Sequence, residues 1–196
     1  MEITIVPSQS FKTTTWAGGD TTQFYIYPPD SNYKQLDFDF RLSMATVVAK
    51  ESVFTPLPDI SRKLMVLDGT ITLKHEDRYS KQLNPYDVDE FEGGWETSSF
   101  GQCTDFNLMT SGTTTGELKA FDYSQNKQFE YHANDESDWL FVYVYAGNAT
   151  INIQDKKYSL DTGDLLAIHS LTSITTIHNH LTEGSVLVIA EIANQK

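Results

Sequence analysis

The residues that could do chemistry in this chain are few and scattered. Its histidines are His75, His132, His169, His178 and His180, and Cys103 is its single thiol. His178-Asn179-His180 puts two imidazoles on one face of an extended segment. A protein-bound metal needs more converging ligands than two, and this pair precedes Leu181-Thr182-Glu183-Gly184, which reads as a strand end or loop. His75 has only Glu76 beside it, and these two would seed any metal-dependent alternative. One cysteine makes neither an internal disulfide nor a Cys-based zinc site. With Asp105 two residues away, its thiol is expected to stay protonated rather than become a nucleophile. The sequence has no Gly-x-Ser-x-Gly elbow, and Gly18-Gly19 lacks the further Gly and Lys of a phosphate loop. These residues favour no metal, no cofactor and no catalytic side chain, and lean away from an enzyme.

A second set is polar where burial is expected. Arg41 and Ser43 share a face of one apolar segment, Asp105 and Asn107 share a face of another, and Arg62 stands at the mouth of Leu64–Leu67. A buried guanidinium is costly unless paired, and its planar fork suits a carboxylate. The pattern leaves two readings open: pocket arginines awaiting an anion, or surface arginines with Asp105 as an ordinary ionic partner.

The segments that must position these residues alternate with period two, and helical periodicity is almost absent. In Phe38–Val47, Phe38, Phe40, Leu42 and Met44 share one face, and Asp39, Arg41, Ser43 and Ala45 the other. Gln23–Tyr27 reads as a strand ended by Pro28-Pro29. Asp68-Gly69 between Lys63–Leu67 and Thr70–His75 signals a hairpin turn. The style recurs in the second half, and it recurs in register. Val66-Leu67-Asp68-Gly69-Thr70-Ile71 aligns with Val144-Tyr145-Ala146-Gly147-Asn148-Ala149, and Leu83-Asn84-Pro85-Tyr86-Asp87 aligns with Leu160-Asp161-Thr162-Gly163-Asp164. Roughly a dozen strands in two such copies describe an all-β, two-repeat cupin, a double jelly roll of the RmlC-like bicupin type. The expected division is 1–112 for the first barrel and 113–196 for the second, packed as one globular unit, with the joint in the Gly-rich stretch after Thr110.

Composition narrows the partners. Fourteen Lys+Arg face 27 Asp+Glu, a formal net charge of −13, which repels nucleic acid and anionic membrane surfaces alike. Met1–Pro7 lacks the basic and apolar regions of a signal peptide, and Leu140–Ala146, the longest apolar run, is too short to span a bilayer. The expectation is a soluble, cytoplasmic protein. Exposed edge strands leave homodimer formation by β-augmentation open.

With these strings in view, the chain resembles the HutD/Ves family of bacterial two-repeat cupin proteins. The resemblance runs through Thr15-Trp16-Ala17-Gly18-Gly19-Asp20-Thr21, Phe38–Val47, Phe54–Leu64, Val66–Gly69, Phe91-Glu92-Gly93 and Asp105-Phe106-Asn107-Leu108-Met109. It departs from the family pattern at Ala17, at Gly94-Trp95 and at Thr110-Ser111-Gly112. The family is associated with histidine utilisation, and its Ves-type members with environmental stress. The resemblance implies a non-catalytic protein that senses a small carboxylate metabolite, such as formiminoglutamate. The pocket positions carried over are Trp16, Thr21, Arg41, Ser43, Arg62, Asp105 and Asn107, and the small-molecule carboxylate is the expected partner. The alternative is a metal-dependent cupin enzyme, an isomerase or dioxygenase.

Overall fold

The computed structural model describes residues 1–123, 127–171, 176–181 and 184–194, with backbone alone for 127–129 and 176–181. The chain opens with strand β1 (Glu2–Val6). Ten strands follow: β2 (Lys12–Trp16), β3 (Gly19–Tyr27), β4 (Phe40–Val47), β5 (Glu51–Val53), β6 (Ile60–Gly69), β7 (Ile71–His75), β8 (Tyr79–Leu83), β9 (Val88–Glu92), β10 (Thr97–Phe100) and β11 (Cys103–Ser111). The remainder are β12 (Thr114–Tyr123), β13 (Lys127–His132), β14 (Trp139–Ala146), β15 (Asn148–Ile153), β16 (Lys156–Asp161), β17 (Leu165–His169), β18 (Thr176–Leu181) and β19 (Ser185–Asn194). Among the described residues no helix is long and apolar enough to cross a membrane.

Two compact units result, Phe11–Thr115 and Met1–Ser10 with Gly116–Lys196. In the first, a six-stranded sheet of order β2-β3-β4-β11-β6-β9 and a four-stranded sheet of order β5-β10-β7-β8 close on Leu64, Val66, Ile71, Leu73, Leu83 and Phe91. In the second, the orders are β1-β17-β14-β19-β12 and β13-β18-β15-β16, around Leu140, Val142, Val144, Ile151, Leu187 and Ile189. Each unit is a two-sheet jelly roll whose strands alternate toward the interior.

The structure departs from a simple cut at residue 112. The later limit falls at Gly116, but residues 1–10 join the C-terminal unit, because β1 pairs antiparallel with β17 from Glu2↔His169 to Val6↔Leu165. That pairing covers an edge that would otherwise expose unpaired backbone groups. Composition carries no trace of it.

Asp68-Gly69 is a corner rather than a hairpin. β6 pairs with β11 and β9, whereas β7 pairs with β10 and β8, so the chain leaves one sheet at Gly69 and enters the other. Gly69 has φ +83°, and a Cβ there would lie 2.4 Å from the Gln102 carbonyl oxygen. The local signal for a tight glycine turn is met, while its partner strand is chosen by barrel closure.

The aligned repeats match bond for bond. The Asn84 amide donates to Asp87 Oδ2 at 2.9 Å, and the Asp161 amide to Asp164 Oδ2 at 3.0 Å. Val66 and Val144 donate to the carbonyls of Asp87 and Asp164, both at 3.1 Å, and accept from Tyr86 and Gly163, both at 2.7 Å. An aspartate at the end of each turn thus satisfies the backbone donors the turn leaves unpaired.

Replacing Gly69 by alanine combines a left-handed backbone with a carbonyl clash. We expect a loss of about 1–3 kcal/mol, read as a lower urea midpoint with an unchanged m-value; an unchanged midpoint would contradict the close approach.

Candidate functional site

The polar cavity of the N-terminal barrel is assembled row by row across its six-stranded sheet. β11 is the axis, with β4 on one side and β6 on the other. Met109 stands opposite Arg41 and Arg62, Asn107 opposite Ser43 and Leu64, and Asp105 opposite Ala45 and Val66. On β3, Gln23 faces Ser43 and Thr21 faces Ala45. Side-chain alternation turns Arg41, Ser43 and Ala45 to one face, and Phe40 and Leu42 to the other, where both are fully buried.

These rows enclose a cavity of about 650 Å³. Every residue expected at a pocket lines it: Trp16, Thr21, Arg41, Ser43, Arg62, Asp105 and Asn107. Trp16, 39% exposed, stands at the edge. Its ring lies so flat on Gly18 that a Cβ there would be 2.1 Å from Trp16 Cζ3, which is why the residue after Ala17 is glycine.

The guanidiniums are inside, Arg41 only 6% and Arg62 only 7% exposed. Arg41 donates through Nε to Gln23 Oε1 and through Nη1 to Ser43 Oγ, each at 2.8 Å, and lies 4.4 Å from the Tyr33 ring centre. Arg62 donates through Nη2 to Asn107 Oδ1 at 2.8 Å and sits between the rings of Phe54 and Phe91, at 4.8 and 5.1 Å. Among the described residues neither guanidinium has a carboxylate within ion-pair distance, and Arg62 Nε is buried with no acceptor. The aromatic faces contribute about 0.5–2 kcal/mol each, less than a full counter-charge. Desolvation accordingly lowers both basicities, that of Arg62 to about 10 despite the opposing fields of Tyr33 and Asp105.

Among the described residues, Asp105 is the one acid lining the cavity, against Lys12, Lys34, Arg41 and Arg62. It is 4% exposed. Its Oδ1 accepts from Asn107 Nδ2, and its Oδ2 from the Cys103 thiol at 3.6 Å. Burial pushes its carboxyl up to about 7, against the smaller opposing effects of Arg62, Cys103 and Asn107. The Cys103 thiol is itself held up by burial and by Asp105, as the sequence anticipates. Asn107 is the hinge of this chain, giving its carbonyl to Arg62 and its amide to Asp105.

Sequence reasoning misses Gln23, Tyr33 and Phe54. Gln23 lies one residue before the β3 irregularity, so period-two counting misplaces its face. Tyr33 comes from the loop before β4, where no periodicity exists to read. Phe54 follows β5 within a recognised string, but only the folded chain brings it over Arg62.

The histidines stand elsewhere. His75 is buried, hydrogen-bonded through Nδ1 to Thr97 Oγ1 and through Nε2 to Asp89 Oδ2, both at 2.9 Å. Glu76 points to Lys74 at 2.6 Å on the surface. His178 and His180 lie at the C-terminal end of strand β18, which closes at Leu181 and pairs with β13 and β15 there; their side chains lie outside the described residues. Among the described residues no group of three or more His, Cys, Asp or Glu side chains could hold a metal ion.

Among the described residues, the second repeat carries different side chains at the positions equivalent to Arg62, Asp105 and Asn107. With Val66 equivalent to Val144, the register makes Leu140 the counterpart of Arg62, Ile189 of Asn107 and Leu187 of Asp105. All three belong to its aliphatic core. The counterpart of Met109 is Glu191, which is buried and accepts from the Asn134 amide at 2.7 Å, from Ser137 Oγ at 3.2 Å and from the Tyr131 hydroxyl.

The raised carboxyl of Asp105 has a defined sign in stability. Between its ordinary value of about 3.9 and its native value of about 7, the folded chain holds a proton that the unfolded chain has released. Asp105 therefore makes stability fall as pH rises through that window and level off above it. Asp105→Asn removes the effect. Its melting temperature should exceed the wild type's by several degrees at pH 8, at roughly 2–4 °C per kcal/mol, and the two should converge near pH 4; a constant difference would contradict this assignment.

Comparison with known proteins places this geometry. The HutD family profile matches residues 8–187. A conserved protein of unknown function from Pseudomonas aeruginosa superposes with a TM-score of 0.85 at 20% identity, over 99% of this chain and 100% of that one. HutD from Pseudomonas fluorescens gives 0.74 at 19% identity over 100% of both chains. The bacterial pirin YhhW from Escherichia coli, in complex with nickel(II), gives 0.70 at 14% identity over 97% and 98%. No curated protein sequence matches. The solved structures share the all-β cupin fold, and the profile spans nearly the whole length: the chain belongs to the HutD family.

Proposed function

We infer that the N-terminal barrel reversibly binds a small carboxylate metabolite, without metal and without chemistry on the ligand, in a sensing or regulatory role. The observation that carries this reading is the pair of buried guanidiniums with no carboxylate partner among the described residues, one retaining an unused Nε donor. A cavity wall with four cationic residues and one acid, in a chain of net charge −13, is charge set aside locally for an anion. Arg41 and Arg62 hold the carboxylate, Asp105 and Asn107 meet the nitrogen-bearing end, and Trp16 closes one wall. Along β11 the arginine row and the Asp105 row are four residues apart, about 13–14 Å by strand rise. Arg62 shortens that span by reaching to Asn107. Such a span suits a five-carbon acid substituted on nitrogen, of which formiminoglutamate is one. The relative from Pseudomonas fluorescens is described in a formate condition, and formate is the smallest carboxylate.

A melting screen tests this with formiminoglutamate, glutamate and formate. At 100 times its dissociation constant an acid should add about 2.7 kcal/mol of stability. Arg62→Ala should abolish the shift while the apo protein still melts cooperatively. Arg41→Ala should weaken it at least tenfold. Absence of any shift in the wild type would remove the carboxylate reading. Stoichiometric iron, zinc or manganese in protein purified without chelator would point instead to the metal-dependent isomerase or dioxygenase.

A further inference from the structure

We propose that Asp105 is the residue by which the cavity distinguishes acids bearing a cationic nitrogen from acids bearing a neutral amide in the same place, surrendering a proton to meet the cation and keeping it otherwise. This rests on the carboxylate reading and adds the identity of the group at the ligand's other end.

Three features of the cavity support it. First, among the described residues Asp105 is the one acid lining the cavity, beside four cationic residues, and it forms an ion pair with none of them; Asn107 stands between it and Arg62. The carboxyl is therefore not consumed as an internal counter-ion. Second, its two oxygens are unequally occupied. Oδ1 takes the Asn107 amide, while Oδ2 has only the Cys103 thiol at 3.6 Å, a weak donor. Oδ2 is the atom left to carry a proton or to accept from a ligand. Third, its register neighbours are uncharged. Across β4 its neighbour is Ala45, with Thr21 beyond on β3, and across β6 it is Val66.

The charged and titratable groups bearing on Asp105 are Cys103 on its own strand, Arg62 on β6 and Arg41 farther along β4. Tyr33 lies on the loop before β4, Lys12 on β2 and Lys34 beside Tyr33, all on the cavity wall. Asp68 acts on Cys103 behind it. Burial already holds the carboxyl close to neutrality, so either charge state is reached at little cost near pH 7. An amidinium or ammonium placed at Oδ2 favours the carboxylate, and the proton from Oδ2 passes to solvent. A neutral amide supplies no such field, and the carboxyl then remains protonated as a hydrogen-bond donor.

The test compares formiminoglutamate with N-acetylglutamate by calorimetric titration from pH 5.5 to 8.5, in buffers of different ionisation heat. Formiminoglutamate should release up to one proton, and its affinity should rise by as much as about tenfold per pH unit below neutrality before levelling off. N-acetylglutamate should release none. In Asp105→Asn both acids should bind without pH dependence across this range. Carboxyl-13C aspartate NMR of the ligand-free protein should show one resonance titrating near neutrality and missing from Asp105→Asn. Equal pH dependence for the two acids, or the same dependence in Asp105→Asn, overturns this inference alone. So does an Asp105 resonance that titrates below pH 5. Failure of both acids to bind overturns the carboxylate reading and this inference with it.

Discussion

The N-terminal barrel is organised around two buried guanidiniums that, among the described residues, have no carboxylate within ion-pair distance. Two guanidiniums at a low-dielectric wall cost far more than two surface arginines, and the surroundings show how that cost is limited. Aromatic faces cover the cationic planes, and neutral oxygens of Gln23, Ser43 and Asn107 take three of the donors. The single carboxylate on the wall is held off by an intervening amide. A neutralising aspartate directly against Arg62 would give a quieter interior and leave nothing to attract an anion.

The second repeat is the internal control. It keeps the aspartate-ended turn, the glycine corner and the order of the four strands they share, down to matching hydrogen bonds, while among the described residues β2 and β3 have no counterpart beside β12 and β1 has none beside β9. Its interior carries Leu140, Leu187 and Ile189 where the first repeat carries Arg62, Asp105 and Asn107. The same backbone solution therefore tolerates either filling. What separates the two barrels is side-chain chemistry at these inward-facing rows together with strands β2 and β3, which add Trp16, Thr21 and Gln23 to the cavity of the first.

Much of this was legible in the sequence. Period-two alternation placed Arg41 with Ser43 and Asp105 with Asn107, because in an uninterrupted strand the face of a residue follows from counting. The repeat was visible because Gly69 and Gly147, like Asp87 and Asp164, answer backbone demands that few other residues meet. The fold was less legible wherever two distant segments had to choose one another. The sheet partner of β7, the placement of β1 beside β17 and the arrival of Tyr33 over Arg41 depend on barrel closure rather than local pattern. Gln23 was hidden by an irregularity that shifts the register by one residue. The raised carboxyl of Asp105 was invisible too, since it follows from burial in the folded barrel and not from its neighbours in sequence.

The pairing of β1 with β17 also sets a timetable for synthesis. Ile3 meets Ile168 in the finished sheet, and at about 5–20 residues per second the ribosome takes roughly ten to thirty seconds to make the chain between them. The N-terminal barrel can close during that interval, while the opening segment waits for its neighbour to emerge. Fusions that tether Glu2–Val6 elsewhere would delay the last closure of the C-terminal barrel and leave the N-terminal barrel already formed.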